Sequence, residues 1–363
     1  MFMGTEAVPN GKFDSIMEAE GGQNNGATSE DRTYYFESGP SNLLETFLWL
    51  EADRLSTLPD GMNKAKLDLQ RDVVKNERRQ SYENRPYAKM ELVLPEKLYP
   101  LGHPYHHPVI GSHRDLSAAR VSDVTAFFHT FYVPSNAVLI VAGDFDTARA
   151  KTLIEHYFGW MKQVPEPTHV EIPTPPPLSK TEIVTLTDAV ELPKVTFAFL
   201  SPAWFAPDDA ECELLAALLG GGKFSRLYQR LVYERKIAES VEVEQRAMQG
   251  SGIFLISAIA RKDKTAADLE TAITEEVERL RTAPPTDREI ERARAFLDVE
   301  HLREIESMIG LTEAIAQFDF RFGDPSRVPE LLSRYQKIGA PAVATVALRV
   351  LSKPHLIFRV VPR

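Results

Sequence analysis

The sequence predicts an α+β protein built from two similar domains. Segments with helical and strand periodicity alternate along 363 residues, a length that can bury two hydrophobic cores. Residues 164–180 are rich in proline, which favours extended backbone, so they are interpreted as an inter-domain linker. Residues 124–143 and 343–362 share one layout: an amphipathic helix, a proline-bearing turn and an apolar strand. These observations predict domains at residues 1–163 and 181–363.

The composition is typical of a soluble globular protein, with 43% hydrophobic and 26% charged residues. No apolar run approaches the roughly 20 residues that a membrane-spanning helix needs. A net charge of -10, from 42 basic and 52 acidic residues, argues against a nucleic-acid partner. The single cysteine, Cys212, excludes an intrachain disulfide, and we expect it to be a small buried side chain.

In the first domain, the periodicity of apolar residues predicts four helices and two strands. The helices are expected at 41–56, 64–83, 119–132 and 146–160, and the strands at 31–37 and 137–142.

The second domain shows the same alternation of helices and strands. Strands are expected at 181–187, 194–200, 240–247 and 253–260, helices at 207–219, 265–281 and 286–306, and a closing strand at 354–362.

The internal repeat also predicts that the first domain, as given, lacks its opening elements. Pro134 and Pro354 are 220 residues apart, and this offset places Met1 opposite Gly221. Before Gly221 the second domain has two strands and the helix at 207–219. We therefore expect two strands and a helix to be missing from the first copy.

Glu77 is the first candidate site residue. On the predicted helix at 64–83, Leu69, Val73 and Glu77 lie four residues apart and share one face, which we expect to be buried. A buried carboxylate is costly unless a cation or hydrogen-bond donors meet it. The periodicity alone favours a glutamate at the helix edge that pairs with a neighbouring arginine. Gln70 precedes Glu77 by seven residues on roughly the same face.

A second candidate lies at residues 24–38. Asn24, Asn25 and Gly26 tolerate positive φ and are interpreted as a turn before a polar strand. Such a strand at a sheet edge would accept an extended peptide by β-augmentation. An ordinary turn and edge strand explain the same residues equally well.

Two further motifs favour structural interpretations. Four histidines fall within residues 103–113, but prolines interrupt the segment and no pair has helical spacing, so we expect a loop with exposed or capped histidines. The glycine-rich segment at 220–236 follows a helix and lacks the ending of a phosphate-binding loop, which favours a tight connection between helices.

Several segments, in this order and spacing, resemble the pitrilysin/insulinase-type zinc peptidases across essentially the entire chain. The resemblance implies two similar α/β-sandwich domains of that type, the first truncated at its N-terminus. The segments are residues 2–38, FLWLEADRL (47–55), VVKNERR (73–79), HPYHHPVIG (103–111), FYVPSNAVLIVAGDF (131–145) and LLGGGKFSRLYQRLVYERKIAESV (218–241).

The resemblance implies a zinc cofactor and a role for Glu77. The family binds zinc through an inverted HxxEH helix, which carries two histidine ligands and the general-base glutamate, and through a glutamate on a later helix. Glu77 matches that later glutamate, so the resemblance favours a metal ligand over an ion pair. The HxxEH motif would lie upstream of Met1, and no catalytic residue is assigned within the sequence. Zinc needs three protein ligands in such a site, so we expect the literal chain to be inactive or nearly so.

Other positions are carried over from the same resemblance. Asn25, Gly26 and Ala27 match edge-strand positions that contact the substrate, although the family usually has alanine at the position of Gly26. Gln70 stands where an acidic residue commonly supports the ligands. Ile253 occupies the position of an arginine by which partner halves grip the substrate. The chain therefore resembles the zinc-bearing half, which needs a second half, separate or fused.

The resemblance thus implies a zinc metalloendopeptidase half that hydrolyses peptides or proteins. The alternative is a non-catalytic partner of the same fold that binds peptide or supports assembly. A phosphate-binding enzyme, suggested only by the glycine-rich segment at 220–236, is a distant third. No feature of the sequence fixes the compartment, and the periplasm is expected only because bacterial members of the family are often exported.

Overall fold

A computed structural model describes residues 4–363, so Met1, from which the repeat was counted, lies outside the described residues. The chain forms two compact units, each discontinuous in sequence. The first unit comprises Met1–Arg78, Val109–Val170 and Ile305–Ser326, and the second comprises Arg79–Pro108, Glu171–Glu304 and Arg327–Arg363.

The first part of the chain is mainly helical, with one pair of strands. Its elements are α1 (Lys12–Ala19), β1 (Gln23–Thr28), β2 (Thr33–Ser38), α2 (Leu44–Thr57), α3 (Lys64–Arg78), a π-helical segment (Arg79–Glu83), α4 (Lys89–Leu98), α5 (His113–Ala118), α6 (Val121–Phe131) and α7 (Thr147–Phe158).

The remaining strands and helices follow residues 162–178, which form neither helix nor strand. They are β3 (Glu182–Asp188), β4 (Lys194–Ser201), α8 (Asp209–Gly220), a second π-helical segment (Tyr228–Glu234), β5 (Ala238–Ala247), β6 (Gly252–Ala260), α9 (Ala266–Thr282), α10 (Asp287–Glu306), α11 (Met308–Phe322), α12 (Glu330–Ser333), α13 (Ala340–Leu351) and β7 (Leu356–Pro362).

The second unit is organised around a five-stranded sheet of order β3-β7-β4-β6-β5. The β3–β7 pair is parallel and the other pairs are antiparallel. On one face α13 buries Val343, Val346 and Val350, whose spacing forms a single helical stripe. On the other face α4 packs against the sheet. Because both faces are covered, β6 is apolar along nearly its whole length.

Helix α4 belongs to this sheet because its apolar residues recur every four positions. Met90, Leu94 and Leu98 form a buried stripe that clusters with residues of β6 and β7. The Asp188 carboxylate, at the end of β3, accepts hydrogen bonds from Lys89 Nζ at 2.5 Å and from the Tyr87 N–H at 3.1 Å. Burial would raise the pKa of Asp188, but these bonds and one from the Ala189 N–H hold it below its usual value.

A buried ionic cluster in the second unit ties α8 to α10 and to the two residues that follow α12. Arg334 donates to Asp209 at 3.0 Å and to Glu213 at 2.5 Å. The Tyr335 hydroxyl donates to Glu213 and accepts from His301 Nε2 at 3.0 Å. Two carboxylates thus meet an arginine and a histidine, so the buried charges are paired.

The first unit contains a small hairpin and a separate core. Strands β1 and β2 form an antiparallel two-stranded sheet, and no other strand of residues 4–363 joins it. Val8, Phe13, Met17 and Leu50 form a cluster beneath the hairpin. The Ser29 N–H donates to the Arg32 carbonyl at 2.9 Å and closes the turn. Asn24–Gly26 therefore lie within β1, and the prediction that they form the turn is wrong.

The predicted strand at 137–142 is also absent, because no described strand offers it a hydrogen-bonding partner. Val138 and Leu139 are 54% and 45% exposed. The corresponding strand β7 lies between β3 and β4 and buries Leu356 and Phe358 completely. Helix α6 differs from α13 in the same way: it is amphipathic but contains no buried residue. The two copies share their pattern but differ in what covers them.

The units differ in extent from the domains expected at 1–163 and 181–363. Residues 79–108 join the second unit, because α4 packs on its sheet, and residues 305–326 join the first. The other predicted helices and strands are present within a few residues of their expected positions. Within residues 4–363, no helix combines the length and apolarity that a bilayer crossing requires.

Candidate active-site elements of the first unit

The free edge of β1 is the first candidate binding surface. In an antiparallel pair, hydrogen-bonded and non-hydrogen-bonded residue pairs alternate. The bond from Ser29 to Arg32 makes that pair a hydrogen-bonded one, and the register continues without a bulge to Gly26↔Tyr35 and beyond. By alternation, Gly26 belongs to a non-hydrogen-bonded pair, and its N–H and C=O point away from β2. The outward backbone groups of β1 belong to Asn24, Gly26 and Thr28.

The three predicted substrate-binding residues therefore differ in what they present. Gly26 directs its backbone to the free edge, whereas Asn25 and Ala27 direct theirs to β2. The Asn25 side chain is exposed, and its Oδ1 accepts a hydrogen bond from the Gly26 N–H at 2.8 Å. Asn25 thus contacts the same outward group that a peptide strand would use.

Behind the hairpin lies a buried charge cluster that the sequence did not reveal. Arg54 of α2 is 2% exposed, hydrogen-bonds Glu51 and lies 3.8 Å from Glu37 of β2. Burial, together with a hydrogen bond from Glu51, raises the pKa of Glu37 to about 10. The sequence FLWLEADRL could have indicated this cluster, because Glu51 and Arg54 are three residues apart and share one helical face.

Tyr35 connects this cluster to α6. Its ring lies 4.3 Å from the Arg54 guanidinium, and its hydroxyl is 2.9 Å from the Tyr132 hydroxyl. Burial and the neighbouring Tyr132 raise the pKa of Tyr35. At the turn, Arg32 lies over the Tyr34 ring and pairs with Glu313 of α11 at 2.7 Å. The hairpin is therefore fixed from both of its faces.

Glu77 lies in the last turn of α3, on an exposed surface. Leu69 and Val73, which share its face, are each 48% exposed, and the expectation that this face is buried is wrong for residues 4–363. Leu67 is the buried residue of this helix. Glu77 makes no hydrogen bond or ion pair within the described residues, so the arginine-paired alternative is also wrong.

The cations near Glu77 have other partners. Arg71 donates to the carbonyls of Leu116 and Ala119, both at 2.8 Å, and Lys75 donates to Ser117 Oγ at 2.8 Å. These bonds fix α3 against α5. Among the described residues, neither Glu77 nor the half-buried Gln70 forms a hydrogen bond or ion pair with residues 25–27.

The described residues do not complete a zinc site. A catalytic zinc needs three protein ligands, and Glu77 supplies one carboxylate. In the part of the chain that the structure describes, no three side chains of His, Cys, Asp or Glu are grouped to hold a metal ion. No catalytic step through a metal is therefore derived from these residues.

The histidine-rich loop of the second unit has a structural role, as expected. His103 is buried, and its Nδ1 accepts from the Tyr105 N–H at 3.0 Å, which caps a short 3₁₀ helix. Its Nε2 then donates to the Pro173 carbonyl at 2.9 Å. His106 Nδ1 bonds the Tyr99 carbonyl at 2.8 Å. Cys212 is likewise buried, and burial raises the pKa of its thiol.

The chain is similar to one family model and to several known proteins. The peptidase M16 inactive domain matches residues 119–297. The zinc protease PqqE of Helicobacter pylori is 27% identical over 323 residues, which cover 87% of this chain and 71% of that protein. The crystal structure of a protease from Helicobacter pylori superposes with a TM-score of 0.88 and 24% identity, covering 99% of this chain and 86% of that one. Over most of its length the chain is thus similar to proteins of the pitrilysin/insulinase type.

These matches confirm the resemblance to pitrilysin/insulinase-type peptidases and the α+β class. Another relative is named as a subunit of a larger complex. Subunit 1 of the mitochondrial cytochrome b-c1 complex of Rattus norvegicus is 24% identical over 259 residues, which cover 70% of this chain and 52% of that protein. The proteins to which the chain is similar therefore include both a named zinc protease and a complex subunit.

Proposed function

We propose that this chain forms the zinc-bearing half of a metalloendopeptidase, with Glu77 as one zinc ligand and β1 as the strand that binds an extended peptide. The observation that carries the proposal is the exposed stripe Leu69, Val73 and Glu77 on α3. Two apolar side chains beside an unpaired carboxylate are what a ligand-bearing helix face presents before a second helix covers it.

The second unit supports this interpretation through its own copy of the helix pair. Helices α3 and α10 both begin after a polar residue that accepts a hydrogen bond from the first turn, Asn63 and Thr286. Beside α10 lies α8: His301 of α10 is 3.8 Å from Glu213 of α8, and both helices line one small cavity. Within residues 4–363, α3 has no equivalent of α8, so a further helix in that position would cover Leu69 and Val73.

We propose that this further helix carries the two histidine ligands and the general base, and that it belongs to a segment outside the present sequence. Two other observations support additional strands and a helix. The apolar segment at 137–142 has no strand to pair with among the described residues, and the amphipathic helix α6 has no buried residue. The zinc protease PqqE, of which the matched region is 71%, is longer than that region. The second peptidase half is a separate or fused partner.

A non-catalytic partner of the same fold is the second candidate. The matching family description is that of an inactive domain, and one relative is named as a subunit of a respiratory complex. In that case β1 would bind peptide or support assembly without hydrolysis, and Glu77 would bind no metal.

The experiment that separates the two begins with the in-frame DNA upstream of Met1. The extended protein is expressed as wild type, as Glu77→Gln and as Asp72→Asn, which removes another exposed carboxylate of the same helix. Zinc content and hydrolysis of a fluorogenic peptide mixture are then measured. Stoichiometric zinc and activity that disappear only in Glu77→Gln would support the proposal. No HxxEH upstream and no zinc in any variant would establish the non-catalytic partner.

A further inference from the structure

The outward N–H of Gly26 is already occupied. Asn25 Oδ1 accepts from it at 2.8 Å, although the register directs this group to the free edge of β1. We infer that Asn25 gates the edge: its side-chain oxygen takes the position of a peptide carbonyl and must leave before an extended peptide can pair at Gly26. This inference rests on the proposed role of β1 as a peptide-binding strand.

The local geometry explains why an asparagine next to a glycine makes such a gate. An asparagine side chain is short enough to bond a neighbouring backbone N–H, a contact that competes with strand pairing. Gly26 has no side chain on either face that would hinder the approach of Asn25. Because Asn25 is exposed, its side chain can rotate away without opening the core.

The neighbouring polar side chains of β1 are directed elsewhere. Asn24 Nδ2 donates to Asp14 Oδ1 at 3.0 Å, and Thr28 Oγ1 lies 3.2 Å from Thr33 Oγ1 across the hairpin. Among the polar side chains of β1, Asn25 is therefore the one that bonds an outward backbone group within residues 4–363. The block is specific to a single position in the middle of the strand.

One backbone N–H cannot serve two acceptors at full strength, so Asn25 and the peptide compete. An intramolecular hydrogen bond in water changes an equilibrium constant by about 2- to 10-fold. The gate therefore weakens peptide pairing by about that factor. The same cap protects the unpaired edge from pairing with other chains while no peptide is bound.

The test uses the 363-residue chain as wild type, Asn25→Ala, Asn25→Asp and Gln23→Ala. Gln23 is the matched control, because its amide lies on the same face of β1 and forms no hydrogen bond among the described residues. The first readout is hydrogen exchange of the Gly26 amide, resolved by fragmentation mass spectrometry. The second is fluorescence anisotropy of a short labelled peptide of alternating threonine and valine that ends in lysines.

The gate predicts faster exchange at Gly26 and about 2- to 10-fold tighter peptide binding in Asn25→Ala. It predicts weaker peptide binding in Asn25→Asp, because a carboxylate is the stronger acceptor, and no change in Gln23→Ala. Equal exchange at Gly26 in wild type and Asn25→Ala would overturn the inference without any peptide being used. Weaker peptide binding in Asn25→Ala would also overturn it and make Asn25 a direct peptide contact. If no variant binds peptide, β1 is not a peptide-binding strand. The proposed function is then wrong for this strand, and the role inferred for Asn25 is wrong as well.

Discussion

Gly26 of β1 and Tyr35 of β2 face each other so closely that only a glycine fits. A Cβ placed on Gly26 would lie 2.8 Å from Tyr35 Cδ1 and 3.0 Å from Cε1. The Tyr35 ring cannot retreat easily, because Arg54 lies against it and Tyr132 holds its hydroxyl. Gly26 therefore accommodates an aromatic residue on the next strand.

Gly26→Ala should consequently destabilise the hairpin. Overpacking of this kind costs about 1–3 kcal/mol, measured as the change in the free energy of unfolding in urea. Gly61→Ala is the matched control, because its nearest contacts would be at 3.5 Å, an ordinary van der Waals distance. Its effect should stay within about 0.5 kcal/mol. Equal effects of both substitutions would mean that Tyr35 moves freely.

The segment at 137–142 and strand β7, which close the two copies of the repeat, should lose very different amounts of stability when a leucine is truncated. Leu356 of β7 is fully buried, so Leu356→Ala should cost about 2–5 kcal/mol of unfolding free energy. Leu139 is 45% exposed, and Leu139→Ala should cost less than about 0.5 kcal/mol in the 363-residue chain. Urea denaturation measures both. A large cost at Leu139 would show that an apolar partner covers it.

The ionic cluster of the second unit should make stability depend on pH through His301. Burial would lower the pKa of His301, but the nearby Glu213 carboxylate and the Glu304 carboxylate, which is hydrogen-bonded to Nδ1 at 3.1 Å, raise it to about 9, from an ordinary value of 6.5. A raised folded-state pKa means that this contribution is complete below about pH 6.5 and is lost as the pH rises through about 9. The urea concentration at the midpoint of unfolding should therefore decrease as the pH rises from 6.5 to 9.

His301→Gln is the test of that assignment, because it removes the titrating group and keeps a hydrogen-bonding side chain. Its urea midpoint should decrease less over the same interval than that of the wild type, and the remaining decrease comes from Glu37, whose pKa is raised to about 10. Asp209, whose pKa burial raises to about 6 with a further contribution from Glu213, titrates below this interval and does not confuse the result. Arg334 stays charged throughout, since its pKa is raised by Glu213 and Asp209 despite its burial. A wild-type slope retained in His301→Gln would assign the pH dependence to another group.

The periodicity of apolar residues correctly predicted the elements that are buried by other described elements of the same unit. Strands β4 and β6 and helix α13 were predictable because near-continuous or striped apolar residues are buried within one unit. The strand at 137–142 was wrong for a physical reason: an apolar run becomes a strand only when another strand satisfies its backbone. Residues 137–142 are apolar enough to form a strand, but among the described residues no strand lies beside them to pair with.

The candidate site shows the same division. The pattern Leu69, Val73 and Glu77 correctly placed three residues on one face, but periodicity could not indicate whether anything covers that face. The family resemblance, not the pattern, singled out Glu77. The raised pKa of Glu37 depends on the contact between a strand and a helix, which no local sequence pattern records.

The ion pair between Arg32 and Glu313 has a consequence for the order in which the protein is made. Arg32 closes the hairpin, whereas Glu313 belongs to α11 and follows 281 residues later. A chain emerging from the ribosome forms the hairpin long before α11 exists. The edge that binds peptide in the proposed function is thus fastened only after α11 has been made, which keeps a chain that has not reached α11 from presenting a finished binding edge.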